Sequence, residues 1–174
     1  FSLQSPSGKV ITGRSNGLEG DDSIANPSGE ELLAPDVNGI DPEGCALLAD
    51  GTFWLCEEYR PSILCCEADG TVIKRLIPKG VKLPLSDIQI VENLPAHYAK
   101  RRANRGFESL ALSPDESTIW ALMQSPSDNE AAERSGNVRL LGCNTENGQP
   151  TSEYIYRLGD PAAADFLIGG VVPD

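Results

Sequence analysis

The alternation of apolar and polar positions along the chain repeats itself. "EGCALLADGTFWLCEE" (43 to 58) and "ESLALSPDESTIWALMQ" (108 to 124) each set an apolar run, an Asp-centred turn and a second apolar run holding an aromatic residue. Glu43 falls on Glu108, Ala46 on Ala111, Leu47 on Leu112 and Asp50 on Asp115. With a one-residue gap, Thr52 falls on Thr118 and Trp54 on Trp120. Short apolar runs bounded by turn residues predict strands joined as hairpins. Each copy then continues alike, through "SILCCEAD", Asp69-Gly70 and "TVIKRLI" in the first and "NVRLLGCN", "TENGQP" and "SEYIYRL" in the second. Each unit is therefore predicted to be four short antiparallel strands.

Four-stranded antiparallel units in tandem predict an all-β fold, a β-propeller whose blades are these units. A sandwich also has short strands but does not repeat a pattern with its turns in register. The organisation expected within one domain is a blade at 41–77, an insertion at 78–105 and a blade at 106–158. Residues 1–12 are read as a strand of a preceding blade, 13–40 as a loop rich in Gly, Asn, Asp, Ser and Pro, and 159–174 as the lead to a following blade. The copies lie 65 residues apart, from Glu43 to Glu108, beyond the roughly 40–50 residues of common propeller repeats. The insertion accounts for the excess, and its stretch from Pro95 to Ala103 predicts a short helix. Two blades cannot close a ring, so a processed chain or part of a larger propeller is expected, in keeping with a start at Phe1 and a single methionine, Met123.

Composition changes this picture little. The 174 residues suit one domain with a sizeable core, and no apolar run approaches the ~20 residues of a membrane-spanning helix. A formal net charge of −12 argues against nucleic acid as a partner and suits cation binding or solubility. The five cysteines, Cys45, Cys56, Cys65, Cys66 and Cys143, cannot all pair internally. With no C-x-x-C and one histidine, a structural zinc site is not expected. Each lies in an apolar run, so reduced core thiols are expected, which allows a reducing compartment.

The candidate chemistry sits where the inner strand of each unit begins. In a propeller these strands line the central channel, so their first residues ring one mouth. Glu43 and Glu108 share that register, with Asp41 ahead of the first and Asn104-Arg105 ahead of the second. Converging carboxylates and amides make an oxygen-rich site for a hard divalent cation such as Ca²⁺. A single such Glu would be read as a strand cap or an arginine partner; recurrence at one register favours a functional mouth. Glu57, Glu58 and Gln124 close the second strands, at the same rim or as solvated ends. Lys100, Arg101 and Arg102 read as a solvated helix face, whereas Arg105, at the turn into the inner strand, is placed to fork a phosphate oxygen. No G-x-S-x-G elbow, P-loop or dinucleotide fingerprint is present, and His97 would be the only histidine base for a nucleophile.

At "GIDPEGCALLADGTFWLCEEYRPSIL" and "AKRRANRGFESLALSPDESTIWALMQSP", with "SGNVRLLGCNTENGQPTSEYIYRL" following, the chain resembles the phytase-like (esterase-like activity of phytase) domain family. The resemblance covers residues 36 to 160. It implies a β-propeller phosphoester hydrolase working through repeated acidic residues, in a secreted, periplasmic or lumenal setting. Carried over by motif, the candidate residues are Asp41, Glu43, Glu57, Glu58, Asn104, Arg105 and Glu108. Ser109 departs from the glycine usual after the motif Glu. The expectation is a metal held by Asp41, Glu43 and Glu108, Arg105 with Asn104 gripping a small phosphorylated substrate, and Glu57 or Glu58 as general base. The competing reading is a non-catalytic propeller serving a protein partner within a larger assembly.

Overall fold

The computed structural model describes residues 2–18, 23–127 and 135–159. The described chain is all-β apart from one 3-10 turn. The first sheet runs in the order β1 (Pro42–Leu47), β2 (Phe53–Glu57), β3 (Ser62–Cys66), β4 (Val72–Pro78) and β5 (Gln89–Leu94). The second runs β6 (Phe107–Leu112), β7 (Thr118–Met123), β8 (Asn137–Asn144) and β9 (Pro150–Arg157). Neighbours pair antiparallel except β5, which lies parallel to β4. The two meanders are the two predicted repeats, packed against one another in an arrangement compatible with part of a propeller. The lead toward a following blade lies outside the described residues from 160 onward.

The equivalence of the sheets extends to their turns. Asp50 Oδ1 accepts from the Thr52 backbone N–H at 2.9 Å and its hydroxyl at 2.7 Å. Asp115 Oδ1 does the same for Ser117, at 3.1 and 2.8 Å. The side chain thus substitutes for a backbone turn partner, which is why Asp is useful there. The left-handed residue of this turn is Gly51 in the first copy (φ 91°) and Glu116 in the second (φ 57°). Glu116 accepts the strain of that conformation and uses its carboxylate to take the Ala49 N–H at 3.0 Å, tying the two hairpins together.

The main core lies between the sheets. Ala46, Trp54, Cys56, Ile63 and Leu76 of the first sheet meet Phe107, Ile119, Ala121, Met123, Leu141 and Cys143 of the second. Burial of each large apolar side chain here stabilises the fold by roughly 1.5–3 kcal/mol. A second cluster covers the opposite face of the first sheet, where Phe53, Leu55, Leu64, Cys66 and Val72 pack against Ile11, Ile40 and Ile88. Close approach of the inner strands depends on Gly44: a Cβ there would lie 2.5 Å from the backbone nitrogen of Leu110.

The insertion differs from expectation in two ways. It supplies a fifth strand, β5, to the outer edge of the first sheet. Its helix is a single 3-10 turn, Ala96–Lys100, that ends before the arginines: Arg101 is already extended (φ −65°, ψ 154°). No side chain caps its start, so tertiary contacts hold it. Tyr98 is buried in the inter-sheet core, and Glu153 of β9 accepts from Tyr98 Oη (3.1 Å), His97 Nε2 (2.7 Å) and Arg139 Nη1 (2.7 Å).

The segments ahead of β1 pack on the first sheet. Gln4 pairs with Val10 and with Thr71 in the β3–β4 turn. Buried Asp36 organises the following loop, accepting from the Thr12 N–H and hydroxyl and from the Asn38 N–H. The cysteines are free. Cys56, Cys66 and Cys143 are buried as expected, and burial pushes the Cys56 and Cys143 thiols up to about 12. Cys45 is not a core thiol: it is exposed, because β1 is an edge strand whose back face the described residues leave open there.

Candidate functional site

Both motif glutamates sit on the same backbone device. Pro42 pairs with Glu57 and Gly44 with Cys56, so Glu43 is the extra residue of a β-bulge. Phe107 pairs with Met123 and Ser109 with Leu122, which makes Glu108 the extra residue of an identical bulge. A bulge re-aims the side chain it frees from the ladder, and bulges concentrate beside active sites. The ends of both hairpins are closed alike: the Glu58 N–H donates to Asp41 O, and the Gln124 N–H donates to Gly106 O, each at 3.0 Å. Asp41 is thus equivalent to Gly106, and Glu58 to Gln124.

Stacking of the sheets brings the two bulges to one mouth. Gly106 lies against the end of β2, where a Cβ would come within 2.3 Å of Glu58 O. One carboxylate oxygen from each of Asp41, Glu43 and Glu58 lies within 4.8 Å of the others. Glu58 retains only 6% of its surface. Glu108, from the second sheet, lies outside that group but close enough for its charge to act on Glu43 and Glu58, and its Oε2 is buried without a hydrogen-bond partner among the described residues.

The electrostatics follow from this crowding. Burial, then the charges of Glu108, Asp41 and Glu43, push the Glu58 carboxyl up to about 7, and Arg105 partly offsets them. Glu43 is also raised, by burial and by the charges of Glu108 and Asp41. Two carboxylates brought together disfavour each other's ionised form, and a cation between them reverses that.

Glu57 and Glu58, adjacent in sequence, part company. Glu57 is fully buried on the opposite face, where its Oε1 accepts from Arg75 Nη2 (2.7 Å), Ser62 Oγ (2.8 Å) and the Arg60 N–H (2.9 Å). Arg75, itself buried, also donates from Nε to Ser62 Oγ at 2.9 Å. The structure therefore gathers Asp41, Glu43, Glu58 and Glu108 and does not bring Glu57 to them. Arg105 stands exposed beside the mouth and donates to Gln124 Oε1 at 3.3 Å. Asn104, also exposed, turns the chain ahead of it in the left-handed conformation (φ 51°).

For Glu58 and Gln124 the sequence leaves open a place at the shared rim or a solvated strand end. The structure sets Glu58 beside Asp41 and Glu43 and bonds Gln124 to Arg105. The signal for Glu58 was available: Trp54 and Cys56 point toward the second sheet, and alternation carries Glu58 to that side.

A family model for the esterase-like activity of phytase matches residues 9–173. The chain belongs to this phytase-like family. A described "uncharacterized secreted protein" of Arthroderma benhamiae is 25% identical over 148 residues, 72% of this chain and 29% of that protein. The chain thus spans under a third of that relative's length. A hydrazine synthase chain of Kuenenia stuttgartiensis is 13% identical, with 78% of this chain and 43% of that one covered, at a TM-score of 0.28. That likeness is too slight to carry an argument. Among the described residues no helix is long and apolar enough to cross a membrane.

Proposed function

We propose that the mouth is the divalent-cation site of a phosphoester hydrolase, with Ca²⁺ the favoured ion. The observation that carries this reading is the convergence of Asp41, Glu43 and the buried residue Glu58, whose carboxylate oxygens approach one another within 4.8 Å. Asp41, Glu43 and Glu58 would hold the ion, with the orphaned Glu108 Oε2 available from the second sheet. An all-oxygen, carboxylate-rich donor set suits a hard cation, and the geometry of Ca²⁺ sites is permissive. The bound ion would supply Lewis acidity toward a phosphoryl oxygen and lower the pKa of water.

The chain's own residues do the rest. Arg105, with Asn104 in the turn beside it, offers a guanidinium to an anionic phosphate oxygen. The clustered carboxylates favour a substrate that arrives with a cation and repel free anions. Glu57 takes no catalytic part, since its charge is engaged by Arg75 in the core. Membership of the phytase-like family supports the phosphoester chemistry. The secreted description of the fungal relative supports an extracellular setting, where calcium sites of about 10⁻⁴–10⁻³ M affinity suffice.

Calorimetric titration of Ca²⁺ into the full-length protein, beside a generic phosphodiester assay, tests this. Stoichiometric binding and turnover are expected, both lost in the Glu43→Gln/Glu108→Gln double variant. Binding without turnover would leave a structural ion in a non-catalytic propeller, and absence of both would refute the site.

A further inference from the structure

We propose that Gln124 is a positioning residue that holds the Arg105 guanidinium at the acidic mouth, and that its amide leaves that guanidinium free to grip an anionic phosphate oxygen. The inference deepens the hydrolase reading and rests on it for the identity of the anion. Gln124 occupies in the second sheet the place that Glu58 occupies in the first, with the same backbone bond fixing it to the start of the inner strand. From there its Oε1 accepts from Arg105 Nη1 at 3.3 Å. Its backbone N–H is bonded to Gly106 O, one residue from Arg105, so holder and held spring from one rigid corner.

The choice of amide matters. A guanidinium carries five donors, and one bond to a neutral amide leaves its charge and remaining N–H groups available. A carboxylate at this position would pair with Arg105 as an ion, often through two parallel bonds. It would also add a fifth negative group to a mouth already holding Asp41, Glu43, Glu58 and Glu108. The two sheets thus divide the work at one equivalent position: the acid in the first faces a cation, and the amide in the second presents one.

The test is calorimetric binding of phenylphosphonate to the Ca²⁺-loaded full-length protein. Wild type is compared with Gln124→Glu and Gln124→Met, each also made in an Arg105→Met background. Gln124→Glu is expected to weaken phenylphosphonate about tenfold without weakening Ca²⁺, and Gln124→Met to weaken it by less. In the Arg105→Met background both effects should shrink below about twofold, since Gln124 acts through Arg105. A general repulsion by the added charge would persist without Arg105, so equal weakening in both backgrounds overturns the proposal. Unchanged affinity in Gln124→Glu, or no phenylphosphonate binding by wild type, overturns it too. Phosphodiester turnover measured in parallel should show KM raised and kcat little changed. If turnover is absent while the binding pattern holds, the hydrolase reading fails and the role of Gln124 stands.

Discussion

The two halves of the mouth share a backbone and differ in charge. Both present a glutamate on a bulge at the start of the inner strand, and both close the hairpin with the same N–H to carbonyl bond. Around that frame the first sheet has Asp41, Glu57 and Glu58, where the second has Gly106, Met123 and Gln124. Gly106 is small because the end of β2 passes against it. Met123 is apolar because its face meets the first sheet, whereas Glu57, on the equivalent face, meets Arg75 and Ser62. Repetition fixed where the bulge glutamates stand; the neighbours fixed what each flanking position had to be.

The largest expected effect comes from making the sheets alike at Glu57. Glu57→Met copies Met123 and strands Arg75 in the core, so a loss of about 3–5 kcal/mol is expected in urea unfolding. Replacing both residues, as Glu57→Met/Arg75→Met, should recover most of it. If Glu57→Gln instead abolished Ca²⁺ binding at unchanged stability, Glu57 would belong with the mouth.

A smaller effect follows from Glu58. Its carboxyl titrates at about 7 in the folded chain against an ordinary value of 4.5, so the metal-free folded state binds the proton more tightly than the unfolded chain does. Stability should therefore be greatest below about pH 4.5 with respect to this group, fall as pH rises toward 7, and level off above. Glu43, raised in the same direction, adds to that slope. Glu58→Gln should flatten it and raise metal-free stability at pH 8, by on the order of 2 kcal/mol. Thermal melts across pH check this, and a slope surviving in Glu58→Gln would place its origin elsewhere.

The smallest effect concerns the matched turns. Asp50→Ala removes the two bonds from Thr52, whereas Asp115→Ala removes the two from Ser117 and one from Ser113 Oγ (2.6 Å), so a small fall in Tm is expected for the first and a somewhat larger one for the second. Equal falls in thermal melts would show that the Ser113 bond adds nothing to the second turn.

Much of this was legible beforehand. The repeat, its Asp turns and the shared register of Glu43 and Glu108 followed from spacing, because alternation and turn chemistry are local. The fifth strand was not legible: "QIVENL" carries a mixed pattern, and it pairs with β4 only because that edge was free. The helix was read too long because Lys100, Arg101 and Arg102 look helical, yet with no side-chain cap at its start the turn persists only where Tyr98 and Glu153 anchor it. Cys45 looked like a core residue by its apolar neighbours, although its strand forms a sheet edge.

The sequence by itself determined the two hairpin meanders and brought an acid to the start of each inner strand, since period-two alternation and turn preference are written residue by residue. Only the tertiary structure decided which acids share a site. Glu57 and Glu58 are the same residue type in the same dipeptide. One is drawn into the core by Arg75, and the other is crowded by Asp41, Glu43 and Glu108. Alternation turns them to opposite faces, and which charges each then meets depends on contacts distant in the chain.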